Sequence, residues 1–218
     1  ESTVPEGTYS AVAAGYQFTC ALRKDRNVVC FGIDYHMESE PVAGPFASIG
    51  AGYEFACGLR PNQEVECWGD AHYTKRPTGK FSNLSVGPNF ACGVTALGEV
   101  RCWGDYSPTQ PPPSGPFTAV AAGAQQACAL RSNGSITCWG ADYAGALTPP
   151  SGTFTSLSSY AQSTCAVDTQ GGVHCWGPDN YGETVAPSGV FASVAVGSVN
   201  ACALRADGAA ARWRCQNG

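Results

Sequence analysis

The chain is short of charge, and shorter still of the residues that usually do chemistry. Only 13% of its 218 residues are charged, three are histidine and one is methionine. Lysine and arginine form no run and the formal net charge is −5. That excludes the basic footprint by which nucleic acid or an anionic membrane is bound. No apolar stretch approaches the roughly 20 residues of a membrane-spanning helix, so direct membrane insertion is not expected. Good helix formers such as lysine are scarce, whereas glycine (27) and proline (15) are common. This balance suits short strands joined by many turns and suits helices poorly. The chain opens at Glu1 without a signal-like segment, which reads as a processed or excised form.

What is abundant is cysteine, and it is periodic. The twelve cysteines fall into six couples, Cys20/Cys30, Cys57/Cys67, Cys92/Cys102, Cys128/Cys138, Cys165/Cys175 and Cys202/Cys215. Successive couples recur every 35 to 37 residues, each in a line that reads Cys-Ala-Leu-Arg, a turn, then Cys-Trp-Gly. A period of this size marks an array of small supersecondary units. Regular pairing at this density predicts disulfides and an oxidising compartment. Nine residues between partners does not match the short knuckles of structural zinc sites, and neither metal nor cofactor is expected.

One unit reads as three strands. In the fourth, Phe117–Gly123 is a first strand, Ala127–Arg131 a second and Ser135–Gly140 a third, with Ser132-Asn133-Gly134 as a hairpin signal. If Cys128 faces Cys138, then Arg131 faces Ser135 and three residues form the loop, Gly134 taking the left-handed position. Opposed cysteines at a non-hydrogen-bonded site lie close enough to bridge. Parity then assigns the faces. Leu22, Leu59, Val94, Leu130, Val167 and Leu204 share the cysteine face, with Val28, Val65, Val100, Ile136, Val173 and Trp213 across the hairpin. The other face carries small residues after the first cysteine, and Phe31, Trp68, Trp103, Trp139 or Trp176 after the second. A sheet that is apolar on both faces, repeated, predicts an all-β propeller of six blades with three to four strands each and one disulfide per blade.

The expected repeats are 9–45, 46–80, 81–116, 117–153, 154–190 and 191–218, in a single domain over 1–218. Residues 1–8 copy the piece that closes the fifth unit, so the N-terminal segment is expected to complete the last blade and close the ring. The sixth unit looks irregular, with a longer turn from Ala206 to Arg212 and Gln216-Asn217 in place of Trp-Gly.

The run Ala127–Gly140, followed by Tyr143-Ala144-Gly145 and Pro149-Pro150-Ser151-Gly152, resembles the regulator of chromosome condensation repeat. It is similar to the short-repeat branch that includes a propeller-type inhibitor of β-lactamase, and to cysteine-bearing repeats in Crinkly-type plant receptor kinases. The resemblance covers essentially the whole chain and implies the fold; for function it implies several unrelated roles, among them enzyme inhibition.

Strand order places the loops after the first strands and those after Trp-Gly on one side. Tyr16, Phe18, Tyr53, Phe55 and Phe90 fall in the first set, and Tyr35, Tyr73 and Tyr106 in the second. If exposed, these aromatics form a surface for a protein or a glycan; otherwise they pack between blades. The accompanying aspartates bind, or cap turns through their own backbone. In the inhibitor branch, the resemblance implies target-contacting aromatics at the matching loop. His174 alternates along a third strand, and His36 and His72 lack a nucleophile signature nearby, so no enzyme is expected. Asn133-Gly134-Ser135 and Asn83-Leu84-Ser85 are glycosylation sequons, the first in a turn and the second in a strand at a small-residue position. Ser107-Pro108-Thr109 and Pro111–Pro113 form a rigid connection. The expected function is that of a secreted, non-catalytic recognition module. Two alternatives stand beside it: a structural subunit that self-associates into an extracellular glycosylated filament or coat, and a protein inhibitor of an enzyme.

Overall fold

The structure, a computed structural model, describes residues 5–33, 43–74, 78–105, 108, 111–179, 184–198 and 200–214. Six three-stranded antiparallel sheets follow one another along the chain, each with its strands in sequence order. The first is β1 (Tyr9–Ala14), β2 (Phe18–Arg23) and β3 (Val28–Gly32); the second is β4 (Ser48–Ala51), β5 (Phe55–Leu59) and β6 (Val65–Gly69). The third is β7 (Phe81–Val86), β8 (Ala91–Thr95) and β9 (Val100–Trp103); the fourth is β10 (Phe117–Ala122), β11 (Gln126–Arg131) and β12 (Ile136–Gly140). The fifth is β13 (Phe154–Tyr160), β14 (Ser163–Asp168) and β15 (Val173–Trp176); the sixth is β16 (Ser193–Val196), β17 (Asn200–Leu204) and β18 (Ala210–Arg214). A four-residue helix, α1 (Ala71–Thr74), follows β6. Contacts divide the chain into two compact units, Glu1–Leu97 with Arg101–Ser107, and Gly98–Val100 with Pro108–Gly218.

Five hairpins have the register expected of them. Cys20 faces Cys30, Cys57 faces Cys67, Cys128 faces Cys138 and Cys165 faces Cys175. These four couples and Cys92–Cys102 are disulfides, each with a Cα separation of 4.0 Å. The turn is the same three-residue loop throughout: Gly134 N–H donates to Arg131 C=O and Arg131 N–H to Ser135 C=O. Its third residue is left-handed in every sheet, at Arg26, Gln63, Gly98, Gly134, Gly171 and Gly208, with φ from 69° to 86°. Its second residue is Asp25, Asn62, Asn133 or Asp207 in four sheets, and the side-chain oxygen accepts the N–H two residues on. The bond from Asn27 holds the Asp25 carboxyl below its ordinary range.

The sixth sheet corrects the sequence reading. Cys202 pairs with Arg212 and Ala201 with Trp213, and the turn closes in the usual way, Arg205 N–H to Ala209 C=O and Gly208 N–H to Arg205 C=O. There is no longer turn. Ten residues after Cys202, as after every other leading cysteine, the hairpin simply carries Arg212 where a cysteine stood before. Trp213 holds the register position of the repeat tryptophan, paired with Ala201. Cys202 forms no disulfide among the described residues, and Cys215 lies outside them, as do Gln216 and Asn217.

Packing follows the two-faced pattern. The cysteine face of the first sheet (Phe18, Cys20, Leu22, Val28) meets the tryptophan face of the second (Phe46, Ile49, Ala51, Trp68). The second meets the third in the same way, as does the fourth the fifth and the fifth the sixth. A buried phenylalanine opens each first strand from the second sheet on: Phe46, Phe81, Phe117, Phe154 and Phe191. Its N–H donates 2.8–2.9 Å to the carbonyl of the left-handed turn residue of the preceding hairpin, at Arg26, Gln63, Gly98, Gly134 and Gly171 respectively. The guanidinium that ends the second strand covers the ring in three sheets: Arg60 over Phe46 (4.7 Å), Arg131 over Phe117 (4.6 Å) and Arg205 over Phe191 (5.1 Å). In the fifth sheet Asp168 replaces the arginine, and His174 instead meets Phe154 edge-on while hydrogen-bonding Asp168 at 2.7 Å. Residues 5–8 lie against the first sheet, through Lys24 N–H to Thr8 C=O and Tyr9 Oη to Pro5 C=O. Residues 1–4 are outside the described set.

Candidate functional site

The loops that follow each first strand share a side with the loops that follow each third strand. Ile33 N–H bonds to Gln17 C=O, Asp70 N–H to Glu54 C=O and Ala141 N–H to Gln125 C=O, all at 2.8–3.0 Å. On that side Tyr16 and Tyr53 stand out, 55% and 40% exposed, with ring centroids 5.3 Å apart in an edge-to-face pair. Main-chain bonds fix both: Tyr16 N–H donates to Gly52 C=O (3.0 Å) and Tyr53 N–H to Pro88 C=O (2.9 Å). Each loop is further closed by its glycine, Gly15 N–H to Phe18 C=O and Gly52 N–H to Phe55 C=O. Ile33, 47% exposed in the loop beyond β3, is tied to the Tyr16 loop by its N–H on Gln17 C=O. A shallow cavity of about 300 Å³ lies beside them, lined by Gln17, Phe18, Thr19 and Phe31. The matching loop positions in the later sheets are Pro88, Ala124, Ala161 and Ser198, so the aromatic pair belongs to the first two sheets alone.

The remaining aromatics predicted for this surface divide. Phe18, Phe55 and Phe90 are 3%, 0% and 0% exposed, so they are core residues and not part of a binding surface. The reason is steric. A Cβ on Gly15 would sit 2.3 Å from the Phe18 ring, and one on Gly52 2.4 Å from that of Phe55; each ring packs directly against its loop glycine. Tyr73 stacks on Phe55 at 5.1 Å and is half-buried, a packing role as well. Tyr35 and Tyr106 lie outside the described residues, as does His36. In the later sheets the phenylalanine position carries Gln126 or Ser163, both buried and both paired: Gln126 Nε2 to Ala161 C=O (3.0 Å) and Ser163 Oγ to Pro178 C=O (3.1 Å).

The loop aspartates cap turns. Asp70 accepts from His72 N–H, Asp142 from Leu147 N–H and Asp179 from Thr184 N–H. His72 also bonds to Asp70 through Nδ1 at 2.7 Å, which raises its pKa above the ordinary imidazole value, with Asp105 adding to the effect. Among the described residues no three His, Cys, Asp or Glu side chains gather as a metal site would require. Asn133 lies exposed in its turn, its Oδ1 accepting from Ser135 N–H and Oγ–H. Asn83 is half-buried within β7, paired with Val94.

Comparison with known proteins agrees with this architecture. Residues 9–36 and 117–146 match the family profile of the regulator of chromosome condensation (RCC1) repeat. Curated protein sequences give no match. Among solved structures, the chain is similar to the entire ectodomain of the receptor kinase CR4 from Physcomitrella patens, at 27% identity and a TM-score of 0.82 over 97% of this chain. It spans 66% of that ectodomain's length. The CRINKLY WD40 ectodomain of the Arabidopsis thaliana receptor kinase ACR4 superposes with a TM-score of 0.79 at 24% identity, covering 94% of this chain and 79% of that one. Prp20p of Saccharomyces cerevisiae, at 15% identity, gives 0.80 over 94% of this chain and 71% of its own. The last two likenesses are of fold alone. Two stretches of the chain thus match the regulator of chromosome condensation repeat, within six three-stranded sheets of a propeller-type all-β fold, five of them carrying a disulfide.

Proposed function

We propose that the chain is a non-catalytic, extracellular recognition module, and that it takes a protein partner on the Tyr16–Tyr53 edge of its first two sheets. The observation that carries this reading is the exposed edge-to-face tyrosine pair on loops fixed by main-chain hydrogen bonds. Tyrosine offers a large contact with few rotors and a polar tip, which is why it recurs at interface hot spots. Ile33, an exposed apolar residue on a loop hydrogen-bonded to that of Tyr16, favours a protein surface over a sugar in this reading. The five disulfides fit an oxidising compartment. Two of the similar structures are receptor-kinase ectodomains, and the work on Prp20p concerns its binding to Gsp1p and histones. Asn133, exposed in its turn, is the sequon this reading assigns to glycosylation ahead of the half-buried Asn83.

The test is a screen of displayed extracellular proteins and an oligosaccharide array, with each hit re-measured against Tyr16→Ala and Tyr53→Ala. A protein hit whose affinity falls at least about tenfold in both variants, with melting unchanged, is the expected result. Hits bound equally well by both variants, or oligosaccharides alone, overturn the reading.

A further inference from the structure

The hydrogen-bonded order of the fifth sheet ends on β15, so one side of that strand is an edge. Residues 173–176 of β15 line a cavity of about 430 Å³, together with Thr148, Pro149, Pro150, Thr184 and Ala186. All of these lie in one compact unit. Successive side chains of a strand point to opposite faces, so a cavity touching four residues in a row runs along the edge rather than over one face.

The ladder shows what that edge presents. Asp168 N–H donates to Gly172 C=O at 2.9 Å, and the bridged couple Cys165–Cys175, at a Cα separation of 4.0 Å, is the narrow, non-hydrogen-bonded kind of pair. His174 and Trp176 therefore bond their partners Ala166 and Thr164, while N–H and C=O of Val173 and of Cys175 turn outward. Among the described residues nothing takes these four groups. The residues beside them have no N–H to give. Pro149 and Pro150 lack one. Thr148 N–H donates to Gly145 C=O (3.0 Å), Thr184 N–H to Asp179 Oδ1 (3.1 Å) and Ala186 N–H to Thr184 C=O (3.1 Å).

We infer that an extended segment of a partner protein adds to β15 as a fourth strand, exchanging main-chain hydrogen bonds with Val173 and Cys175. Donor and acceptor recur along the edge every two residues, about 6.5–7 Å. Another extended main chain complements that pattern of partial charge. The cavity volume lies in the range of ligand sites, and propeller blades ordinarily have four strands where this sheet has three. Trp176, held by Nε1–H on Ala146 C=O at 3.2 Å, and the two prolines give an apolar side chain of the segment its surroundings. Among the described lining residues only His174 can carry charge, and its Nε2 is engaged by Asp168 at 2.7 Å. The segment is therefore uncharged where it enters. This edge shares no residue with the Tyr16–Tyr53 pair, and the two proposals are independent.

The experiment selects binders of the full chain from a displayed library of random linear peptides and titrates them as synthetic peptides. Val173→Pro removes one outward N–H and leaves the bonds of His174 to β14 in place, a substitution that edge strands accept; a melting curve confirms its folding. Affinity is expected to fall at least about tenfold in Val173→Pro. On wild type, N-methylation at alternate residues of the peptide is expected to weaken binding by as much at one parity and to leave it unchanged at the other. That series needs no protein variant, so it decides the matter even if Val173→Pro does not fold. A library that yields no binder overturns the inference, as do peptides indifferent to Val173→Pro or weakened equally at both parities. Self-association of the chain that Val173→Pro abolishes would put a second copy on the edge and overturn it too.

Discussion

At the scale of single residues, the hairpin turn shows what the repeat tolerates. Its left-handed residue is glycine in four sheets but Arg26 and Gln63 in two, and a side chain in that conformation costs roughly 1–2 kcal/mol before the entropy of glycine is set against it. Gln63→Gly should therefore raise stability by about 0.5–1 kcal/mol, seen as a higher melting temperature. A melting temperature that falls would show that the side chain of Gln63 contributes something its geometry hides. Asp168 gives a pH-dependent counterpart. The hydrogen bond from His174, with the N–H groups of Gly172 and Gln170, lowers its pKa below the unfolded carboxylate value. Its stabilisation is thus complete above that value and lost as pH falls through the depressed one. Between about pH 5 and pH 2 the wild-type melting temperature should fall more steeply than that of Asp168→Asn; parallel curves would remove the pair from the account. Burial of single aromatics was less legible in sequence. The parity rule that puts Leu22 on the cysteine face puts Phe18 there too, two residues before Cys20, and the preceding glycine makes room for its ring. Tyr16, on the same four-residue loop, differs only in facing outward, which no spacing reveals.

At the scale of the hairpin, the ten-residue step between cysteines carried the register, and the structure follows it in every sheet. The sixth shows how the same rule can be misapplied. Pairing Cys202 with Cys215 honours residue identity and breaks the step, whereas counting ten residues reaches Arg212 and preserves it. A direct consequence is that Arg212→Cys, made with Cys215→Ala, should form a sixth bridge. Mass spectrometry of unreduced peptides would show a 202–212 link, and the chain-entropy model gives a gain of about 2.5–3 kcal/mol. Free thiols at both positions would refute the register. Removing an existing bridge with Cys57→Ala and Cys67→Ala should cost a similar amount. The phenylalanine that opens each first strand matters more. Phe81 is fully buried, meets the Trp103 ring at 5.8 Å and ties its sheet to the preceding turn, so Phe81→Ala should cost about 3–5 kcal/mol in denaturant unfolding.

At the scale of the whole molecule, most side chains of the core touch only their own sheet and the next. Stability in such an array is close to a sum of nearest-neighbour terms. Phe154→Ala should therefore raise amide exchange chiefly in β10–β15, measurable by mass spectrometry, and a uniform rise through β1–β6 would contradict that picture. Architecture was legible from periodicity because every unit repeats the same two-faced pattern. Function was not, because the repeats preserve what stacks, while the proposed recognition surface rests on two tyrosines that only two of the six units possess. One hydrogen bond has a wider effect. In the first five sheets the turn's left-handed residue presents its carbonyl to the phenylalanine of the following sheet, so inserting even one residue there would uncouple neighbours. Among the described residues, the loops beyond the third strands carry no such tie to the next phenylalanine. Length variation is thereby channelled to one rim, and foreign segments grafted after β12 should be accepted where the same graft at Asn133 would not.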